Sequence, residues 1–118
     1  MFIVEDDLTL QKIYLEILTT FGYEVIDTAI NGEEAVEKFK SFLEKPEIII
    51  MDYRMPLKNG IDATKEILKL DSDSRIIFAS ADSSIETLAL SIGAISFLEK
   101  PFDIDNLIDL IQKIPQML

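Results

Sequence analysis

Along this chain, short unbroken apolar runs alternate with stripes of apolar residues recurring every three or four positions, a pattern that predicts strands and helices in turn. Met1-Phe2-Ile3-Val4 is a strand. Leu10, Ile13, Tyr14, Ile17, Leu18 and Phe21 then mark one helix face, which Gly22 stops. A short strand runs from Glu24 to Thr28, Asn31-Gly32 makes a turn, and Ala35, Val36, Phe39 and Leu43 form a second helical stripe ending before Pro46. Ile48 to Met51 is the third strand. Asn59-Gly60 signals a turn, Ile61 to Leu70 a helix with Ile67 and Leu68 inside, and Asp71-Ser72-Asp73-Ser74 a polar loop. Arg75 to Ser80 is the fourth strand, after which Ser83 and Glu86, at capping-box spacing, open a helix carrying Leu88, Leu90 and Ile92 to Gly93. Ile95 to Glu99 gives the fifth strand. Asp103 caps a last helix bearing Ile104, Leu107, Ile108, Ile111 and Ile114, and Pro115 closes it.

Five strands alternating with five helices argue for an α/β fold, a parallel sheet with helices on both faces. The runs at Ile48 to Met51 and Ile76 to Ala79 read as strands buried on both faces, hence central. With 118 residues and no linker, repeat or low-complexity segment, residues 1–118 are expected to form a single domain. Pattern alone does not set the strand order. The doubly wound, flavodoxin-like order 2-1-3-4-5 would put strands one, three and four side by side, so that Glu5, Asp6, Asp52 and Ser80 converge at the sheet edge where ligands bind in open α/β folds.

Composition narrows the chemistry. Lys and Arg number 11 against 22 Asp and Glu, a formal net charge of −11, and no basic run interrupts the acidic background. A nucleic-acid-binding surface is therefore not expected. The absence of cysteine removes disulfides, thiol catalysis and Cys-based zinc sites. No apolar stretch approaches the roughly 18 residues of a membrane span, and acidic residues follow the first four positions, so neither a membrane segment nor a signal peptide is read here. The expectation is a soluble, cytoplasmic protein.

Glu5, Asp6 and Asp52 gathered at one edge repel one another unless a cation or proton intervenes. A few oxygen ligands suit Mg²⁺, which keeps several waters and is commonly completed by phosphate oxygens. Lys100, at the end of strand five, would meet such a phosphate as a point charge and Ser80 as a hydroxyl donor. The group of side chains thus looks built for phosphoryl transfer, in which a carboxylate can carry the phosphoryl group as an aspartyl-phosphate. Asp7, immediately before the first helix, is read as its cap.

The residues Val4-Glu5-Asp6-Asp7, Met51-Asp52-Tyr53-Arg54-Met55-Pro56 with Gly60, Ala79-Ser80-Ala81, and Gly93-Ala94 leading to Phe97-Leu98-Glu99-Lys100-Pro101-Phe102 stand in order, most of them at strand ends. Together they resemble the receiver domain of two-component response regulators over essentially the whole chain. A chemotaxis receiver protein is itself a known instance of the 2-1-3-4-5 order, so fold and family are here one inference. The resemblance implies that Asp52 is the phosphoacceptor and that Glu5, Asp6 and Asp52 hold Mg²⁺ with the backbone carbonyl of Arg54. It implies that Ser80 and Lys100 contact the phosphoryl group, that Phe97 is the aromatic partner of Ser80 in switching, and that Lys100-Pro101 is a cis peptide. Phe97 beside Ile95 also fits simple strand packing. Glu5 stands where Asp is often found, and Ser80 where Thr is common; neither change removes an oxygen.

The implied function is a phosphorylation-controlled switch that signals through protein contacts and catalyses only its own phosphorylation and dephosphorylation. Without histidine in the chain, the phosphoryl donor is a histidine kinase, a histidine phosphotransfer protein or a small acyl phosphate. A downstream effector or a homodimer would use the face from Ser83 to Ile114, where shape is expected to change. An aspartyl-nucleophile phosphatase would need a second Asp two residues after Asp52, where Arg54 stands. A flavin mononucleotide carrier on this fold would need a glycine- and hydroxyl-rich loop in place of Glu5-Asp6-Asp7-Leu8. A partner-binding pseudo-receiver, or a receiver fragment of a larger multidomain regulator, are the alternatives kept. Arg54 and Asp82, each two residues past a site residue, are expected to pair or jointly order water over the mouth of the site, modulating hydrolysis of the acyl phosphate without binding the metal.

Overall fold

The computed structural model describes residues 1–114. Five strands, β1 (Phe2–Val4), β2 (Asp27–Ala29), β3 (Ile48–Asp52), β4 (Arg75–Ser80) and β5 (Ser96–Glu99), form one sheet in the order β2-β1-β3-β4-β5, with every pairing parallel. Between them run α1 (Leu8–Thr20), α2 (Gly32–Ser41), α3 (Gly60–Leu70) and α4 (Glu86–Ser91), and α5 (Ile104–Lys113) follows β5. The chain moves outward from β1 to β2, returns past β1 to β3, and then proceeds the other way. That reversal opens a crevice at the carboxyl ends of β1 and β3, the switch point of a doubly wound sheet.

Side-chain alternation in the strands divides the core in two. Phe2, Val4, Ile49, Met51, Ile76 and Phe78 point to one face, where Val36, Phe39, Ile67, Ile85 and Ala89 from the α2, α3 and α4 layer cover them. Ile3, Ile48, Ile50, Ile77 and Ala79 point to the other, under Tyr14 and Leu18 of α1 and Leu107, Ile108 and Ile111 of α5. Both faces are thus dry, which is why β3 from Ile48 to Met51 and β4 from Ile76 to Ala79 are unbroken apolar runs and were legible as central strands.

Local chemistry sets the helix ends. Asp7 Oδ1 accepts from Thr9 N and Leu10 N at 2.9 and 3.2 Å, so the cap expected there is present. Gly22, at φ +86°, takes the left-handed position after α1, with Gly22 N bonded to Thr19 O. Asn31 and Asn59, expected as turn residues, are the N-caps of α2 and α3, their side chains accepting from Glu34 N and Asp62 N.

Several expected positions differ. The second strand covers Asp27–Ala29 and not Glu24 to Thr28, because an edge strand pairs on one side only, in register with Phe2 to Val4. α2 ends at Ser41, and Leu43 is 102% exposed beyond it. The capping box at Ser83 and Glu86 does not form. Asp82 Oδ1 instead accepts from Ser84 N at 3.0 Å and opens a 3₁₀ turn, Ser83–Ile85, before α4. The inward positions here are Ile85, closing that turn, and Ala89 of α4, four residues on, while Leu88 and Leu90 lie exposed on the helix flanks. Asp103 occupies the N-cap of α5 without a side-chain bond, and Ile104 is exposed. The expected stop at Pro115 lies outside the described residues. No helix among those described is long and apolar enough to cross a membrane.

The division between buried and exposed leucines is testable in urea. Leu18→Ala removes a side chain with no exposed surface and is expected to cost about 2–5 kcal/mol. Leu43→Ala is expected to stay within about 0.5 kcal/mol of wild type. Equal losses in the two variants would show that Leu43 packs against the domain.

Candidate phosphoacceptor and metal site

The site is built at the switch point from the residues that end β1, β3, β4 and β5. Glu5 follows β1 and is buried at 2% exposure, its N–H continuing the ladder to Ala29 O at 3.0 Å. Asp52 closes β3 and is itself buried. Asp6 is exposed at the mouth, and one carboxylate oxygen from each of Glu5, Asp6 and Asp52 lies within 4.8 Å of the others. Lys100 reaches in from the far side. Its Nζ donates to Glu5 Oε1 at 2.6 Å and to Asp52 Oδ1 at 3.2 Å. The Lys100–Pro101 peptide that follows is cis, as the resemblance implied.

Three carboxylates face one ammonium, and the ionisation of Glu5, Asp52 and Lys100 reflects it. Burial pushes the Glu5 carboxyl up to about 7, with the Lys100 hydrogen bond opposing and the Asp52 charge adding to the rise. Asp52 is raised as well, again first by burial, against the pull of Lys100. Burial alone would lower the Lys100 ammonium, but its hydrogen bond to Glu5 and the Asp52 charge outweigh that and leave it raised. This is a crevice short of positive charge, where a divalent cation would relieve like-charge repulsion.

Ser80 lies at the end of β4, buried, with Oγ accepting from Asp82 N at 3.0 Å. In this structure the hydroxyl is engaged with that turn and not with Asp52. Ser80 O also accepts from Lys100 N at 2.8 Å, so the hydroxyl and ammonium residues are tied through their backbones. Phe97 is half-buried in β5, aligned with Phe78, and packs on the cluster that holds Ile85 and Ala89. Arg54 Nη2 and Asp82 Oδ2 pair at 3.2 Å, as expected. Arg54 also stands over the Tyr53 ring at 5.9 Å, and together with Asp6, Tyr53, Met55, Pro56 and Asn59 it lines a cleft of about 450 Å³.

Two residues near the site were not singled out for it by sequence reasoning. Gln11 Nε2 donates to Glu5 O and Ala29 O, both at 3.2 Å, and so pins the loop that carries the acidic residues. A glutamine early in an amphipathic helix carries no signal that separates it from a solvated one. Tyr14, placed only on the helix stripe, buries its hydroxyl without a partner, and its ionisation is pushed up by burial with Glu5 and Asp52 adding.

A parallel sheet in this order, with acidic residues at the switch point and a lysine bridging two of them, defines a flavodoxin-like α/β domain with a charged crevice at the carboxyl edge of its sheet. The family model of the response regulator receiver domain matches residues 1–112, and the chain belongs to that family. It is a receiver domain of two-component signalling, similar to CheY. Chemotaxis protein CheY of Thermotoga maritima is 40% identical over 116 residues, spanning 97% of this chain and 95% of that protein. Among solved structures, the CheX–CheY–BeF₃–Mg²⁺ complex from Borrelia burgdorferi matches with a TM-score of 0.91 at 32% identity, over 96% of this chain and 86% of that one. The response regulator TrrA of Thermotoga maritima, in complex with Mg²⁺ and beryllofluoride, matches with a TM-score of 0.85 at 34% identity, over 95% of each chain.

A raised carboxyl makes stability depend on pH in a defined direction. Between the ordinary value of 4.5 and about 7, folded Glu5 holds a proton that the unfolded chain has released. Its contribution is therefore fully present below pH 4.5 and is lost as pH rises through about 7, and Asp52 acts in the same direction. In metal-free protein, the stability of wild type relative to Glu5→Gln is expected to fall across that window in urea titrations. A difference that rises or stays flat would contradict the buried, proton-binding carboxyl.

Proposed function

We propose that residues 1–118 act as one receiver domain in which Asp52 accepts a phosphoryl group and the resulting charge switches the face formed by α4, β5 and α5. The observation that carries this reading is the bridge from Lys100 Nζ to Glu5 and Asp52 among carboxylates close enough to share a cation. Glu5, Asp6 and Asp52, with the Arg54 carbonyl, would hold Mg²⁺, whose chemistry is to neutralise phosphoryl oxygens as they approach the carboxylates. An Asp52 oxygen attacks phosphorus in line as the donor's P–N bond breaks, or its P–O bond where the donor is an acyl phosphate. The Lys100 ammonium, already 3.2 Å from Asp52 Oδ1, passes to a phosphoryl oxygen. Ser80 donates its hydroxyl to another, giving up the Asp82 N–H it now accepts.

The readout follows from charge. A phosphoryl group brings about −1.5 to −2 charge. New charge-assisted bonds from Ser80 and Lys100, at about 1.5–3 kcal/mol each, supply about 3–6 kcal/mol. Moving a population from 1:99 to 99:1 takes about 5.5 kcal/mol, so the switch is large. Inward movement of Ser80 frees space for Phe97 to turn in behind it, against Ile85 and Ala89. On this reading the domain is no enzyme in the ordinary sense, since it modifies only itself. It works in the cytoplasm between a histidine kinase or histidine phosphotransfer protein and an effector or a second copy bound to the Ser83–Ile114 face.

Incubation with acetyl phosphate and Mg²⁺ is expected to add one phosphoryl group, found at Asp52 by mass spectrometry. Asp52→Asn is expected to abolish it, and EDTA to block both its gain and its loss. Undiminished labelling of Asp52→Asn would overturn the assignment of the phosphoacceptor, and indifference to EDTA the metal site.

The Ser80→Ala variant separates chemistry from readout. It is expected to accept phosphate with a rate lowered by up to about 10²-fold. With beryllofluoride, amide shifts in wild type should spread across α4, β5 and α5, whereas in Ser80→Ala they should stay near Asp52. Matching shift patterns in the two proteins would remove Ser80 from the switch.

A further inference from the structure

We infer that Gly32, at the start of α2, is a positioning residue for the metal site, acting through the backbone of the β3–α3 loop. The inference rests on the reading of the Arg54 carbonyl as a metal ligand. Gly32 is the first residue of α2, and its N–H belongs to the group of helix-start donors that no carbonyl of the helix itself can satisfy. Lys58 O accepts it at 3.0 Å. The two backbones meet where no side chain intervenes. A Cβ on Gly32 would fall on Lys58 O and come within 2.9 Å of Lys58 C and 3.0 Å of Asn59 O. Gly32 has no left-handed φ, so the glycine answers to close approach and not to backbone conformation.

What Gly32 holds is a loop whose tip is otherwise tied to α3 through the Lys58–Glu66 ion pair. Leu57 takes a φ of 67°, rare for a branched apolar residue, and its side chain is exposed. Lys58 N bonds back to Pro56 O at 2.7 Å, and Gly60 N to Tyr53 O at 2.8 Å. Gly60 in turn lies against Asp52, since a Cβ there would overlap the Asp52 carbonyl oxygen and stand 3.0 Å from Phe78 Cζ. The segment from Tyr53 to Asn59, which presents Arg54, is therefore closed at its base, where Gly60 lies on Asp52 and bonds to Tyr53 O, and is held near its carboxyl end by Gly32 on Lys58. Because Ala suits the first turn of a helix, Gly32→Ala leaves α2 free to form and moves the loop instead.

Residues that orient metal ligands typically change affinity about 10–100-fold when altered. Gly32→Ala is expected to weaken Mg²⁺ binding by calorimetry about tenfold, with far-ultraviolet circular dichroism unchanged and amide shifts concentrated in residues 53–59. Gly22→Ala is the control, because Gly22 has a positive φ and nothing within 4 Å of its Cβ position, so it strains the backbone without touching the loop. Its Mg²⁺ affinity is expected to match wild type. Coupling is reciprocal, so in wild-type protein Mg²⁺ should slow hydrogen exchange at the Gly32 amide. This second measurement stands whether or not Gly32→Ala folds. Mg²⁺ affinity of Gly32→Ala within twofold of wild type, an equal loss in Gly22→Ala, or a Gly32 amide indifferent to Mg²⁺ would each overturn the inference. Absence of Mg²⁺ binding by wild type would overturn the metal-site reading itself.

Discussion

Two buried carboxylates beside a third exposed one, with a single lysine between them, is the constraint on which the rest of this domain depends. The arrangement is costly, as the raised Glu5 and Asp52 show. It persists because each charged residue is carried by backbone that has little freedom to move away. Glu5 is tied to β2 through Ala29 and to α1 through Gln11. Asp52 ends a strand buried at every position and has Gly60 packed on its carbonyl. Lys100 is fastened through its own N–H to Ser80. A site whose members repel one another needs this fastening, and frustration of this kind is what functional sites retain while cores do not.

The same reasoning explains what the chain made legible. β4 reads directly from sequence because a strand buried on both faces has no polar positions to blur its ends, and the acidic or hydroxyl residue that follows marks the return to water. Glu5, Asp52 and Ser80 were visible for that reason, each standing where an apolar run stops, whereas Lys100 follows one residue later, after Glu99. The edge strand β2, with one pairing partner and three residues, had no such signature. α4 misled because Leu88 and Leu90 look like core residues, while the helix buries the smaller Ala89 beside Ile85. Asp82 was legible as a residue over the site mouth but not as the cap of the next turn, a role for which Ser83 fitted the familiar spacing.

Contacts between loops distant in sequence were the least visible. Gln11 bridging Glu5 and Ala29, and Gly32 against Lys58, join segments that no local pattern relates. Asn31-Gly32 read as a turn because that pair is a strong local signal, and the signal was sound as far as it went. Its tertiary use, a helix start pressed onto another loop, is decided by the packing of α2 beside α3 on one face of the sheet.

The division of the core has a mechanical consequence. Glu5 leads into α1 and Lys100 toward α5, on one face, whereas Asp52 leads into α3 and Ser80 into α4, on the other. The crevice therefore sits at the rim of a stiff plate whose two sides are tied to opposite halves of the same charge cluster. Any force that redistributes contacts between Lys100, Asp52 and Ser80 is divided between the two helical layers, with the sheet as a fulcrum. Each helical layer therefore meets the crevice through its own strand ends, and a change of contacts within the cluster reaches both layers at once.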